Sequence, residues 1–263
     1  LLIPSRRGTA GERASIALLG LHLLMSAPRI GLIVVAAGSS RRMRGADKLW
    51  VDLEGLPLLA YTLRALSSAL PQAYAVAVVS AERRDRLASS DSQPPWSFVV
   101  SWVAGGAHRQ DSVYAGLCAL PPCDLVVIHD GARPFVTADI LARGVEEAAR
   151  CGAATAGVPV TDTIKVVDPL TGQVTSTPDR ALLWAVQTPQ VFAYAVIMAA
   201  YAAAGADRVK ATDDAGLVER MGHPVYVFEG SPANFKVSTP ADLAVARALI
   251  GGRSQNQETP HGC

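Results

Sequence analysis

Two short stretches of this 263-residue chain are apolar almost without a break: Ile30 to Ala36 (IGLIVVA) and Leu125 to His129 (LVVIH). A strand with one wet face alternates polar and apolar side chains, and a strand covered on both faces has no need to. Both runs are therefore expected to be strands buried between two layers. Tyr74 to Val79, Phe98 to Val103, Ala153 to Val158 and Val225 to Glu229 read as further strands. Helical spacing fills the gaps. A helix from Pro57 to about Leu70 puts Leu59, Leu63 and Leu66 on one face, with proline suited to its first turn. Others are expected over Arg109 to Leu120, Thr137 to Arg150 and about Phe192 to Ala204. Thr239-Pro240-Ala241-Asp242 opens a last one with a hydroxyl cap and an early acid. Strand and helix in alternation argue for an α/β fold, a doubly wound and mostly parallel sheet. Such sheets hold ligands beyond the carboxyl ends of their strands. The polar residues after Ala36 and after Ile128 then share one rim.

The rest of the chain narrows this further. Half of the residues are hydrophobic, which is enough for a core and excludes global disorder. The formal charge is +1, so no broad basic footprint for nucleic acid exists, though a few cations can still serve a small anionic ligand. No apolar run is long enough for a membrane span. Cys118, Cys123, Cys151 and Cys263 match neither a disulfide framework nor a zinc spacing, as expected of thiols in the cytoplasm. Residues 1–28 read as a leader. Arg6, Arg7 and Arg13 ahead of the apolar run Ile16 to Met25 could front a targeting signal, but Met25, just before the first strand, favours a translated leader upstream of the native start. One domain is expected over residues 29–250, with a flexible polar tail at 251–263.

Residues 160–180 break the rhythm. Thr161 to Val167 is strand-like, Asp168-Pro169-Leu170-Thr171-Gly172 turns, and Val174-Thr175-Ser176 pairs back. A lone two-stranded ribbon is marginal in water. This arm is expected to lie against something, such as a second subunit.

Chemistry can sit at four places. Ala36-Ala37-Gly38 followed by Arg41-Arg42-Met43 and Lys48 forms a small-residue turn and a basic loop, able to bring backbone N–H groups and charge to phosphates. It lacks the Gly-Lys-Ser/Thr ending of a P-loop and the Gly-x-Gly-x-x-Gly of a dinucleotide site. As composition alone it could equally be a solvated turn. His129-Asp130-Gly131-Ala132-Arg133-Pro134 offers an Asp that can ligate a hard cation or cap a turn, and an Arg that can meet a phosphate or pair with that Asp. His129 reads as a packed residue. Gly105-Gly106 and Ser112 can bring backbone and a hydroxyl to a ring or sugar, or form an ordinary capped loop. Thr163, Lys165, Arg180, Thr212-Asp213-Asp214 and Lys236 are dispersed, and spacing alone says little of them.

Taken in order, these pieces resemble the 2-C-methyl-D-erythritol 4-phosphate cytidylyltransferases. The resemblance runs from about Ile30 to Ile250. It is carried by Ala36-Ala37-Gly38 with Arg41-Arg42-Met43, by Arg109-Gln110-Asp111-Ser112-Val113 and by His129 to Pro134. Pro159-Val160-Thr161-Asp162-Thr163-Ile164-Lys165, Gln187-Thr188-Pro189-Gln190, Thr212-Asp213-Asp214 and Asn234-Phe235-Lys236-Val237 complete it. The chain departs from the family at Asp47, where a proline usually stands, at Leu49, usually Gln, and in a shorter loop before Lys48. Asp47 either weakens the pull of Lys48 on phosphate or points outward.

The resemblance implies a Rossmann-like nucleotidyltransferase fold with a protruding hairpin arm. It also implies cytidylyl transfer from CTP to 2-C-methyl-D-erythritol 4-phosphate, with Mg²⁺ as cofactor. Arg42 and Lys48 would then stabilise the α-phosphate and the leaving pyrophosphate. Lys236 would sit near the reacting phosphate, and Asp130 would hold the metal. Ala36, Ala37, Gly38, Gly105 and Ser112 would hold the nucleotide. Arg133, Thr163 and Arg180 would bind the acceptor phosphate, with Thr163 and Arg180 reaching the neighbour's site across a homodimer. Partners would be small phosphates, not nucleic acid or membrane. Two rivals stand beside this reading: a ribitol 5-phosphate cytidylyltransferase, and a CTP-binding protein without turnover.

Overall fold

The computed structural model describes residues 27–38, 47–88, 95–207 and 210–257. Residues 1–26 of the expected leader, Arg41, Arg42 and Met43, and residues 258–263 lie outside them.

The chain opens with β1 (Ile30–Val35), then a small hairpin of β2 (Asp52–Leu53) and β3 (Leu56–Pro57). There follow α1 (Leu58–Ala69), β4 (Tyr74–Val79), α2 (Ala81–Ala88), β5 (Val99–Ala104), α3 (Arg109–Ala119), β6 (Leu125–Asp130), α4 (Ala138–Cys151) and β7 (Ala153–Pro159). The arm is β8 (Val166–Val167) and β9 (Val174–Ser176). Next come β10 (Trp184–Ala193), α5 (Tyr194–Asp207), α6 (Asp214–Arg220), β11 (Tyr226–Glu229) and α7 (Pro240–Gln257).

One sheet organises the molecule, with strand order β11-β7-β10-β6-β1-β4-β5. Every pairing in it is parallel except those of β10, which runs antiparallel to both β6 and β7. The doubly wound, mostly parallel architecture is as expected. Alternation along β1 makes the two layers. Leu32 and Val34 join α1 (Leu59, Leu63, Leu66), α4 (Ile140, Leu141) and α7 (Leu243, Ala246) on one face. Ile33 points to the other face, with Val113 and Leu117 of α3, Ile197 of α5 and Val218 of α6. Each fully buried leucine or isoleucine here contributes about 1.5–3 kcal/mol relative to exposure.

Several elements differ from the sequence reading. β10 is a strand the sequence did not announce, and Phe192, expected to begin a helix, is a buried member of it. Pro189 stands inside the run, and a proline argues against a central strand because it lacks the ladder N–H. The ladder to β7 indeed shifts register between Val186 and Gln190. The arm pairs over fewer residues than expected, and the last helix continues past Gly251 and Gly252 to Gln257. Both ends of α4 are capped locally. The Thr137 hydroxyl accepts from the Ile140 N–H at the start of α4, and Gly152 closes that helix at φ 85°.

Candidate active site

The carboxyl ends of β1 and β6, the loop after β5 and the segment before α7 enclose a cavity of about 650 Å³. Ala36, Ala37, Gly38, Lys48, Ser112, Asp130 and Lys236 all line it, as does Arg109. β1 and β6 are neighbours in register, Val35 opposite Asp130, so the two loops that follow them must share a rim.

Asp130 is the electrostatic centre. Lys236 Nζ lies 2.8 Å from its Oδ2, Arg133 Nε 3.6 Å from the same oxygen, and Arg109 Nε 3.8 Å from Oδ1. Burial by itself would raise this carboxyl. The positive charges of Lys236, Arg109 and Arg133 outweigh it and hold the group down at about 2. With Lys48 on the same cavity, cations outnumber the carboxylate, which suits a phosphate-rich ligand.

A directed chain of hydrogen bonds holds Asp130 from behind. Its N–H donates to Thr188 Oγ1 at 3.0 Å, the hydroxyl faces His129 Nδ1 at 3.2 Å, and His129 Nε2 lies 3.1 Å from the Arg133 carbonyl. A carbonyl can only accept, so Nε2 carries the proton, and Nδ1 then accepts from the Thr188 hydroxyl. That tautomer is neutral. Burial keeps the imidazole at about 4, below its ordinary 6.5, with further lowering from the charges of Arg133 and Lys236 against opposing pulls from the Arg133 carbonyl and Asp130. His129 is a packed residue, as the sequence suggested, and Thr188 reaches it from the unannounced β10.

Lys236 is placed by hydrogen bonds on both sides of it in the chain. Val237 N–H donates to the Ala132 carbonyl at 2.9 Å, and Arg133 donates to the Asn234 carbonyl at 2.8 Å. Beyond it, Asp242 Oδ2 accepts from the N–H groups of Ser238 and Thr239, both at 2.8 Å, where the sequence foresaw a cap. Buried Asn234 donates to Gln187 Oε1 at 3.1 Å and to the Thr188 carbonyl at 2.9 Å, fixing this segment to β10.

Lys48 opens a single turn of 3-10 helix, Lys48–Trp50. Its Nζ donates to the Val237 carbonyl at 2.8 Å, which brings it beside the Lys236 segment. Asp47 turns its carboxylate to an ion pair with Arg83. Of the two readings left open for this acid, the structure has it engaged away from the lysine, by Arg83.

The loop after β5 is tighter than the sequence suggested. Ser112 Oγ accepts from Gly106 N–H at 3.2 Å and donates to the His108 carbonyl at 3.0 Å, so the hydroxyl is spent on shaping the loop. Gly105 is needed for close packing: a Cβ there would stand 2.4 Å from Ala37 Cβ and 2.8 Å from Ser112 Oγ. Gly106, not Gly105, is the glycine facing the cavity.

Arg109 is a site residue that spacing and residue type do not single out. It is the first residue of α3, set against Asp214 with 2.7 Å between Nη2 and Oδ2. Burial works against its charge, but Asp214 more than offsets it and raises the guanidinium above its ordinary value. Tyr201 Oη donates to the other Asp214 oxygen at 2.6 Å. Gln190 of β10 accepts from the N–H groups of Asp214 and Ala215 at 3.1 and 3.2 Å. The signal was its place at the helix start on the shared rim; no spacing rule announced Asp214.

Three expected residues stand elsewhere, and one cannot be placed. Arg133 is buried under the cavity floor, and Thr163 and Arg180 lie on the exposed arm, where Arg180 donates to the Thr161 carbonyl at 2.8 Å. Arg42 falls outside the described residues.

Among the described residues no three His, Cys, Asp or Glu side chains gather to hold a metal. Magnesium asks for less, since it keeps waters and takes one or two carboxylates together with substrate phosphates. Asp130 fits that demand: Oδ2 is engaged by Lys236, while Oδ1 among the described residues meets only the more distant Arg109.

Residues 30–252 match the family model of 2-C-methyl-D-erythritol 4-phosphate cytidylyltransferase. The enzyme of that name from Dehalococcoides mccartyi is 44% identical over 223 residues, covering 84% of this chain and 96% of that protein. The one from Prochlorococcus marinus is 46% identical over 226 residues, covering 85% and 99%. Among solved structures, the 2-C-methyl-D-erythritol 4-phosphate cytidylyltransferase of Thermus thermophilus superposes with a TM-score of 0.69 at 32% identity, over 85% of this chain and 99% of that one. The 4-diphosphocytidyl-2C-methyl-D-erythritol synthase of Anaerococcus prevotii gives 0.73 at 28%, over 86% and 100%.

Proposed function

The chain belongs to the 2-C-methyl-D-erythritol 4-phosphate cytidylyltransferase family, and from that premise we propose how its own residues carry out the transfer. The reaction moves the cytidylyl group of CTP to 2-C-methyl-D-erythritol 4-phosphate and releases pyrophosphate. An acceptor phosphate oxygen forms the new bond to the α-phosphorus, and the bond from that phosphorus to the β-phosphate bridging oxygen breaks. Negative charge moves from the acceptor to the pyrophosphate, so the protein's task is to align the reactants and balance charge.

The observation that carries this reading is the single carboxylate of Asp130 set among Lys236, Arg109 and Arg133, with Lys48 on the same cavity. Lys48 stabilises the α-phosphate and the departing pyrophosphate, in company with Arg42. Lys236 orients the reacting phosphate. Ala36, Ala37 and Gly38 receive the nucleotide by backbone contact, with Gly105 and Ser112 shaping the opposite wall. A magnesium ion held by Asp130, when bound, supplies charge neutralisation and orientation of phosphate oxygens. Arg109, restrained by Asp214, keeps positive charge aimed into the cavity.

We also propose that two chains pair through the arm. Ile164, Val166, Val167, Leu170, Leu182, Trp184 and Val186 are all exposed, Leu170 to 94%, which is apolar surface that a monomer would keep wet. Pairing there would bring Thr163 and Arg180 to the acceptor phosphate in the neighbour's cavity. No helix among the described residues is long and apolar enough to cross a membrane.

The test is magnesium-dependent pyrophosphate release from CTP, with 2-C-methyl-D-erythritol 4-phosphate and ribitol 5-phosphate side by side. Release with the first acceptor alone is expected. Release with ribitol 5-phosphate alone would overturn the acceptor, and CTP binding without release from either would overturn the catalytic reading.

A further inference from the structure

Asp47 is an acid beside the lysine on which the proposed charge stabilisation depends. A bare carboxylate there would oppose the attraction of Lys48 for phosphate. Asp47 occupies the N-cap position of the Lys48–Trp50 turn, yet its side chain makes no capping bond. The carboxylate instead forms an ion pair with Arg83 in the first turns of α2, where the side chains are only 27% and 19% exposed. Arg83 is itself set by its N–H, which donates to the Ser80 carbonyl at the end of β4 at 3.0 Å. The same short segment is held at two further points. Leu49 is buried in the core, and Trp50 stacks on Trp96 with ring centroids 5.4 Å apart and planes 18° apart. Asp47 is thus the charged end of a segment held also by apolar contacts and by the Lys48 bond to the Val237 carbonyl.

We propose that Arg83 is a positioning residue for the transfer, acting through Asp47: it takes up the acid's charge and pins the turn that presents Lys48 to the phosphates. This rests on the phosphate-stabilising role proposed for Lys48. Arg83 lines no part of the cavity, so its effect is felt through the lysine and not by contact with substrate.

The experiment is steady-state kinetics of Arg83→Gln, Arg83→Lys, Asp47→Asn, the double variant Asp47→Asn/Arg83→Gln, and Lys48→Ala, each checked by circular dichroism for folding. Arg83→Gln leaves Asp47 unneutralised and is expected to lower kcat about tenfold, since small misplacements of a charge-bearing group are costly in the transition state. Arg83→Lys keeps the charge and recovers most of that loss. Asp47→Asn removes the acid's charge together with the ion pair and is expected to cost less than Arg83→Gln, and in its background Arg83→Gln has no further effect. A double variant as impaired as Arg83→Gln would overturn the proposal, because the arginine would then act independently of Asp47. So would an Arg83→Gln enzyme at full rate while Lys48→Ala collapses. A folded Lys48→Ala enzyme at full rate would instead remove the role of Lys48 on which the proposal stands.

Discussion

His129 couples the stability of this protein to mild acid. The group is held at about 4 in the folded chain against an ordinary 6.5. An unfolded chain therefore binds a proton in that interval before the folded one does. The stabilisation is complete above pH 6.5, declines as pH falls, and is exhausted near pH 4. At about 1.4 kcal/mol per pH unit, the interval is worth about 3 kcal/mol, most of it gone by pH 4.5. The structural cost is specific. Protonating Nδ1 sets the new N–H against the Thr188 hydroxyl, which must give up donating to the ring. Asp130, held at about 2 against 3.8, loses its own contribution only below about pH 4, so the two windows separate. The assay is urea unfolding at half-unit steps from pH 7.5 to 4.5 for wild type and His129→Gln, whose side-chain amide can still donate to the Arg133 carbonyl. Other histidines cancel in the difference. Wild type should start more stable and lose about 2–3 kcal/mol more than the variant over this range. Parallel pH profiles would refute the reasoning, since they would mean the imidazole titrates alike in both states.

Two further outcomes are expected. Gly105→Ala forces a methyl against Ala37 and Ser112, which should cost about 1–3 kcal/mol of stability and raise the KM for CTP more than that for the acceptor; thermal melts and two-substrate kinetics check this. Arg180→Ala should raise the KM for the acceptor phosphate about tenfold or more with little change for CTP, consistent with loss of a charge-assisted hydrogen bond; a change confined to the CTP dependence would remove Arg180 from the acceptor site.

Much of the architecture was legible because buried parallel strands have a signature that needs no context. Ile30 to Val35 and Leu125 to Asp130 could hardly be anything else, and their order in the chain placed Ala36 and Asp130 on one rim. Thr239 and Asp242 announced the start of the last helix through local chemistry. β10 was illegible for the opposite reason. Its Gln-Thr-Pro-Gln core is polar and contains a residue that central strands avoid, and it is tolerated because the side chains of Gln187, Thr188 and Gln190 find partners on other elements.

The candidate site divides in the same way. Lys48, Asp130 and Lys236 were named from residue type and from resemblance to a family, and the fold brings all three to one cavity. Their states were not readable from the chain. Whether Asp47 would weaken Lys48 depended on Arg83, an arginine from a helix the sequence did not announce. The charge state of Asp130 depends on cations from positions 109, 133 and 236, and the neutrality of His129 on a hydroxyl 59 residues away. Local pattern determined the strands, the caps and the kind of chemistry on offer, because hydrophobic period and backbone preference act over a few residues. Only tertiary structure decided which charges neutralise one another, because burial and Coulomb interaction depend on distance in space, which the order of residues does not contain.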